Sequence, residues 1–161
     1  MVLFLKNVLF TLVVPGTVAV YVPWRLSLGG AAASGPLLAL AIVLLAAGGA
    51  TYGWCLWDFA TFGRGTPAPI DAPKRLVVRG LYRSTRNPMY LGVLTVVVGW
   101  AVLHRSAALV LYALAIATLF HLFVVFYEEP HLHRRFGADY ERYRADVPRW
   151  FPRVPKGVDA G

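Results

Sequence analysis

Two polar clusters interrupt an otherwise apolar chain, and their residue types are those of a binding or catalytic site. The first runs Gly80-Leu81-Tyr82-Arg83-Ser84-Thr85-Arg86-Asn87-Pro88-Met89-Tyr90-Leu91-Gly92. The second begins at His121 and ends in Tyr127-Glu128-Glu129-Pro130. Asn87 suits a helix N-cap and Pro88 the first helical position, so a helix should begin there. Its free N–H groups and positive dipole end favour an anionic group such as an amino-acid carboxylate. Glu128 and Glu129 point about 100° apart on a helix and should take different partners. One suits Arg86, and the other a cationic or hydroxyl-rich ligand. Two carboxylates gain little from a helix C-terminus, which implies positive partners nearby. His121 precedes Glu128 by seven positions, two turns up the same face, and is expected inside the bundle lining the pocket. Arg83 and Arg86 also have a plainer reading as topological charges.

The elements that must position these clusters are apolar helices. Four apolar segments run roughly from Val2 to Val22, Gly35 to Trp57, Pro88 to Leu103 and Ala107 to Tyr127. The first two and the last approach the ~20 residues a spanning helix needs, and the third is short. Only His104, Arg105 and Ser106 separate the third from the fourth, which predicts a tight antiparallel hairpin. Such a hairpin brings the start of the third helix beside the end of the fourth, uniting the two clusters at one membrane face. Gly49 and Gly53, beside Gly48, offer a small-xxx-small pair for close helix packing. After Glu128, Leu132, Phe136, Tyr140, Tyr143 and Val147 recur at helical steps. Gly137 should split this stretch into two short helices lying at the interface, able to roof the site.

Composition agrees with a membrane protein. Apolar residues form 58% of the 161 and charged residues 15%, which moves the chain out of the ordinary soluble class. The net charge of +8 does not indicate a nucleic-acid partner, because the basic residues sit between and after the apolar runs. With four spans, one side keeps only Arg25 and Arg105, and the remaining Lys and Arg share the other. That asymmetry predicts cytoplasmic termini and a cytoplasmic site. The N-terminal segment reads as a retained helix rather than a leader. The one cysteine, Cys55, reads as packing; His131 and His133 lack a third ligand, so no metal site is expected. The chain is expected to be one domain over 1–161, with two N-terminal helices in 1–57 and the site-bearing region in 58–153.

Together these segments resemble a known family. Gly80-Leu81-Tyr82 followed by Arg86-Asn87-Pro88-Met89-Tyr90-Leu91-Gly92 is similar to the G-x-Y…R-H-P-x-Y-x-G signature of isoprenylcysteine carboxyl methyltransferases and their bacterial relatives, and the chain as a whole resembles these and the phospholipid methyltransferases. Glu128-Glu129-Pro130-His131-Leu132, Phe136-Gly137-Ala138-Asp139-Tyr140-Glu141-Arg142-Tyr143 and Val147-Pro148 resemble that family's ending. Phe62-Gly63-Arg64-Gly65-Thr66-Pro67-Ala68-Pro69 also matches a stretch common in bacterial members. Asn87 stands where the family commonly has histidine.

The resemblance implies an all-α integral membrane bundle of about four spans. It also implies an S-adenosylmethionine site built from Tyr82, Arg86, Asn87, Tyr90, Glu128 and Glu129, closed by Tyr140 and Tyr143. S-adenosylhomocysteine would be the product. Arg86, Glu128 and His121 are the expected catalytic residues; loss of Arg86 or Glu128 is expected to abolish cofactor binding. The acceptor is expected to be small or lipophilic. The reaction would be carboxyl O-methylation of an isoprenylcysteine-like substrate, with N-methylation of a phospholipid amine or S-methylation of a thiol as alternatives. An amine or thiol must first lose a proton, which His121 or a glutamate could take. Tyr82, Tyr90 and Tyr127 could meet the sulfonium or adenine. Two further readings are an NADPH-dependent sterol-type reductase, whose C-terminal half is somewhat similar, and a non-enzymatic accessory subunit. The expected setting is a prokaryotic cytoplasmic membrane, with lipids as partners.

Overall fold

The computed structural model describes residues 9, 11, 13–28, 31–63 and 76–154, and among them only helices and turns occur. The first described helix contains a π-helical stretch, Thr17–Tyr21, and continues as α1, Val22–Ser27. Helix α2 is Gly35–Asp58 and runs on into a π turn, Phe59–Gly63. A 3-10 turn, Gly80–Arg83, leads to α3, Pro88–His104. Helix α4, Ala107–Phe123, passes through a π turn, Val124–Glu128, into α5, Glu129–Phe136. Helix α6 is Ala138–Asp146.

Two of these helices are long and apolar enough to cross a membrane: Gly35–Phe62 and Ala107–Phe136. Only 11% of each apolar window is buried inside the protein. A soluble core helix of this composition would be covered, whereas here Ile42, Val43, Leu111, Leu114 and Leu119 face outward. Such outward apolar surface is what lipid contact requires. Of the expected first segment the structure describes residues 9, 11 and 13–22, and α3 is shorter, with 17 residues.

Helix α3 is the centre of the packing. It meets α2 most intimately at Gly48 and Gly92: a Cβ on Gly48 would lie 2.7 Å from the Gly92 carbonyl oxygen. A Cβ on Gly99 would likewise fall 2.9 Å from Leu45 Cγ. The expected pair Gly49 and Gly53 plays no such part, since a Cβ at either meets nothing within 4 Å among the described residues. Small residues permit this approach only on the face that turns toward α3, and Gly48 is that residue. Val93 and Val97 of α3 then join Ala19 and Ala113 in a buried cluster.

The hairpin between α3 and α4 closes as the spacing predicts. Arg105 adopts the left-handed conformation, with φ 49°, and Ser106 accepts a hydrogen bond from Leu109 N at 3.3 Å. Gly137, with φ 50°, separates α5 from α6. The apolar face of that tail turns inward onto protein. Tyr140, Tyr143 and Val147 are buried with Leu76, Leu132 and Phe136 packed against them. The tail thus roofs the bundle instead of laying this face on lipid.

Candidate functional site

The 3-10 turn sets one wall of the site. Gly80 has φ 53°, and a Cβ there would collide with the Asp58 carboxylate and the Trp54 indole nitrogen. This tight turn places Tyr82 in a buried cluster with Cys55 and Val77. Tyr143 reaches across from α6 and donates to the Tyr82 carbonyl at 2.7 Å. Burial raises the pKa of both phenols, so each stays a neutral donor.

The segment after α6 is laced to the segment before α3. Arg86 N donates to the Pro148 carbonyl at 2.9 Å and Arg153 N to the Ser84 carbonyl at 3.0 Å. The Thr85 hydroxyl donates to the Arg149 carbonyl at 3.0 Å. Asn87 occupies the N-cap position of α3, but its side chain makes no capping bond. Instead Asn87 Nδ2 donates to the same Arg149 carbonyl at 3.1 Å. The tail has drawn that side chain away from the helix end.

Two guanidinium groups share one carboxylate here. Arg86 Nη1 donates to Glu129 Oε1 at 2.9 Å and to the Tyr140 hydroxyl at 3.1 Å. Arg149 forms a two-pronged contact with Glu129, at 2.6 Å from Nε and 2.9 Å from Nη2. That contact raises the pKa of Arg149 and holds it charged. The side chains of Arg86 and Glu129 are only 9% and 11% exposed. Arg86 Nε is buried with no hydrogen-bond partner among the described residues.

Glu128 turns elsewhere. Its Oε2 accepts a 2.8 Å hydrogen bond from the Tyr90 hydroxyl. The adjacent carboxylates therefore serve different partners, as about 100° of helical rotation requires. Glu128 and Tyr90 line a cavity of about 100 Å³ together with Tyr82, Arg86 and Asn87. The rest of its wall is mainly apolar and includes Val18, Met89, Val93 and Phe120. On its other side, Glu129 borders a shallow surface depression with His133, Glu141 and Arg144.

The structure thus gathers Tyr82, Arg86, Asn87, Tyr90 and Glu128 around one cavity, with Glu129 and Tyr140 holding Arg86 and Tyr143 bracing the 3-10 turn. His121 is not among the cavity-lining residues. It is exposed, and its Nδ1 accepts from the Trp150 indole at 3.1 Å. The cause is the π turn at Val124–Glu128. Seven residues of regular α-helix return nearly to the same face, but a π turn shifts the register by about one residue, roughly 100°. Tyr127 also faces out, stacked on His131.

Three contributors escaped the sequence reading: Thr85, Arg149 and Trp150. Arg149 was one more basic residue of the tail. Its position directly after Val147-Pro148 was the only hint, because its carboxylate partner is 20 residues away.

The chain belongs to the phospholipid methyltransferase family, whose profile matches residues 37–139. More narrowly, a stretch of 74 residues, 46% of the chain, is 39% identical to methanethiol S-methyltransferase 2 of Bradyrhizobium diazoefficiens. That stretch covers 27% of the relative's length. No solved structure gives a significant match.

Proposed function

We propose that this protein is a membrane methyltransferase that moves the methyl group of S-adenosylmethionine to a small acceptor. The observation that carries the reading is the cluster of the buried pair Arg86 and Glu129 with the half-buried Arg149 beside the cavity, where Arg86 Nε has no partner among the described residues. An amino-acid carboxylate can use that free N–H, and an ammonium group can use the carboxylate. Arg86, Asn87 and Glu129 would hold the amino-acid end of the cofactor, with Tyr82, Tyr140 and Tyr143 shaping the surroundings. When bound, the cofactor supplies an activated methyl group on a sulfonium. The protein's part is to align the acceptor with that methyl and exclude water.

A compact thiol is the acceptor best supported. An engineered apolar cavity of roughly 150 Å³ accommodates benzene, so one of about 100 Å³ suits a smaller group. A prenyl chain would have to lie outside it. The relative's printed activity, S-methylation of methanethiol, points the same way. A phospholipid amine is the second reading, favoured by the family's name. Four spans with the site and both termini on the cytoplasmic side remain the topology that the distribution of Lys and Arg supports.

Calorimetric titration of the purified full chain with S-adenosylhomocysteine tests the reading. The wild type is expected to bind, and Arg86→Met to lose at least tenfold in affinity, about 1.4 kcal/mol. Failure of the folded wild type to bind would refute it.

A further inference from the structure

We propose that residues 150–154 form a strap that lies in the membrane surface and holds the headgroup of an anionic phospholipid between Arg83 and Arg153. This goes beyond the methyl-transfer reading and does not depend on it. Phe151, Pro152, Arg153 and Val154 are all exposed, with Phe151 at 85% and Val154 at 91%. The strap is nevertheless fixed in place. Arg153 N donates to the Ser84 carbonyl at 3.0 Å. The Thr85 hydroxyl donates to the carbonyls of Arg149 and Trp150, at 3.0 and 3.2 Å. The Trp150 indole donates to His121 Nδ1 at 3.1 Å, which ties the strap to α4 as well as to the approach to α3. A fixed segment that turns a phenyl ring outward calls for a cover.

Depth identifies that cover. His121 stands 14 positions after Ala107, the first residue of α4. At 1.5 Å per residue this is about 21 Å, short of the ~30 Å of a hydrocarbon core. Leu119, Leu122 and Phe126, on either side of this level, are exposed as lipid-facing side chains are. Trp150, bonded to His121, therefore lies within the boundary layer of the membrane rather than above it, the layer that favours an indole whose N–H is satisfied. Phe151 follows directly and meets acyl chains there. From that depth a long arginine side chain reaches up to the headgroups.

Charge selects the lipid. The bond from Arg153 N to Ser84 brings Arg153 beside Arg83, which is also exposed. Neither forms an ion pair among the described residues, whereas Arg86, Arg142, Arg144 and Arg149 all do. Two unspent guanidinium groups next to an apolar anchor match the phosphate and the acyl chain of one lipid. A zwitterionic headgroup brings its own cation and gains less from the pair.

The test places an environment-sensitive dye at Phe151→Cys, in a Cys55→Ala background of the full chain. The chain is held in phosphatidylcholine nanodiscs with increasing fractions of nitroxide-labelled phosphatidylglycerol or nitroxide-labelled phosphatidylcholine as quencher. The same dye at Asp139→Cys, an exposed position on α6, gives the water-facing baseline. Each basic residue at an anionic surface adds about fivefold in attraction. With two such residues the dye at 151 is expected to reach half-quenching at a roughly tenfold lower fraction of phosphatidylglycerol than of phosphatidylcholine. Arg83→Gln combined with Arg153→Gln should bring that ratio close to one. Raising salt from about 0.1 M to about 1 M, which shortens the screening length from ~10 Å to ~3 Å, should erode the ratio in the chain that keeps both arginines. That measurement carries the test if the double variant does not assemble. Quenching at 151 no stronger than at 139 would put the strap in water or under protein and overturn the proposal. Equal quenching by the two lipids would leave an apolar anchor without a headgroup site, and would overturn the assignment of Arg83 and Arg153.

Discussion

Replacing Glu129 with Gln keeps the side-chain volume and removes one charge from between two guanidinium groups. Arg86 would lose its 2.9 Å carboxylate partner and Arg149 its two-pronged contact. Breaking a buried ion pair from one side costs about 3–5 kcal/mol, because the remaining charge stays desolvated. Arg86, at 9% exposure, should incur nearly all of that, whereas Arg149, at 33%, can turn toward water. The lower end, about 3 kcal/mol, is therefore expected. At roughly 2–4 °C per kcal/mol for a chain of this size, the melting temperature should fall by about 6–12 °C. Cys55 gives the assay: it is the chain's one cysteine and is fully buried, so a thiol-reactive dye reports unfolding. Arg86→Met combined with Glu129→Gln should be less destabilised than the sum of the single variants by about 2 kcal/mol. A Glu129→Gln melt within 2 °C of wild type, or fully additive variants, would refute the claim that this cluster joins the tail to α3.

Further measurements probe other parts of the structure. Gly48→Ala would drive a methyl group into the Gly92 carbonyl and the Val96 backbone, and should cost about 1–3 kcal/mol in the same melt. Gly49→Ala, one residue on, meets nothing within 4 Å and should be neutral; equal effects would refute the packing register. For topology, Arg105→Cys and Asp139→Cys in a Cys55→Ala background should label with an impermeant maleimide from opposite sides of the membrane. Labelling from the same side would overturn the proposed arrangement.

Local chemistry made much of this protein readable from its sequence. Pro88 and Gly137 mark helix boundaries because their backbone preferences act at their own positions. Arg105 and Ser106 are too short a link for anything but a hairpin. Uninterrupted apolar length identified helices fit for lipid, and the divergent partners of Glu128 and Glu129 followed from helical rotation alone. The resemblance carried by the Arg86–Gly92 and Glu128–Leu132 motifs led to the right family. What the sequence hid were matters of rotation and distant partnership. A π turn changes hydrogen-bond register without any composition signal, and it took His121 off the face that Glu128 occupies. Which of three neighbouring glycines meets α3 depends on how two helices are turned toward each other. Arg149 acquired its role because folding carried the tail across the start of α3, where Thr85 and Asn87 bind its carbonyl and Glu129 its guanidinium. Periodicity is set by the nearest few residues, but a buried charge's partner is set by the whole packing, and only the tertiary structure decides it.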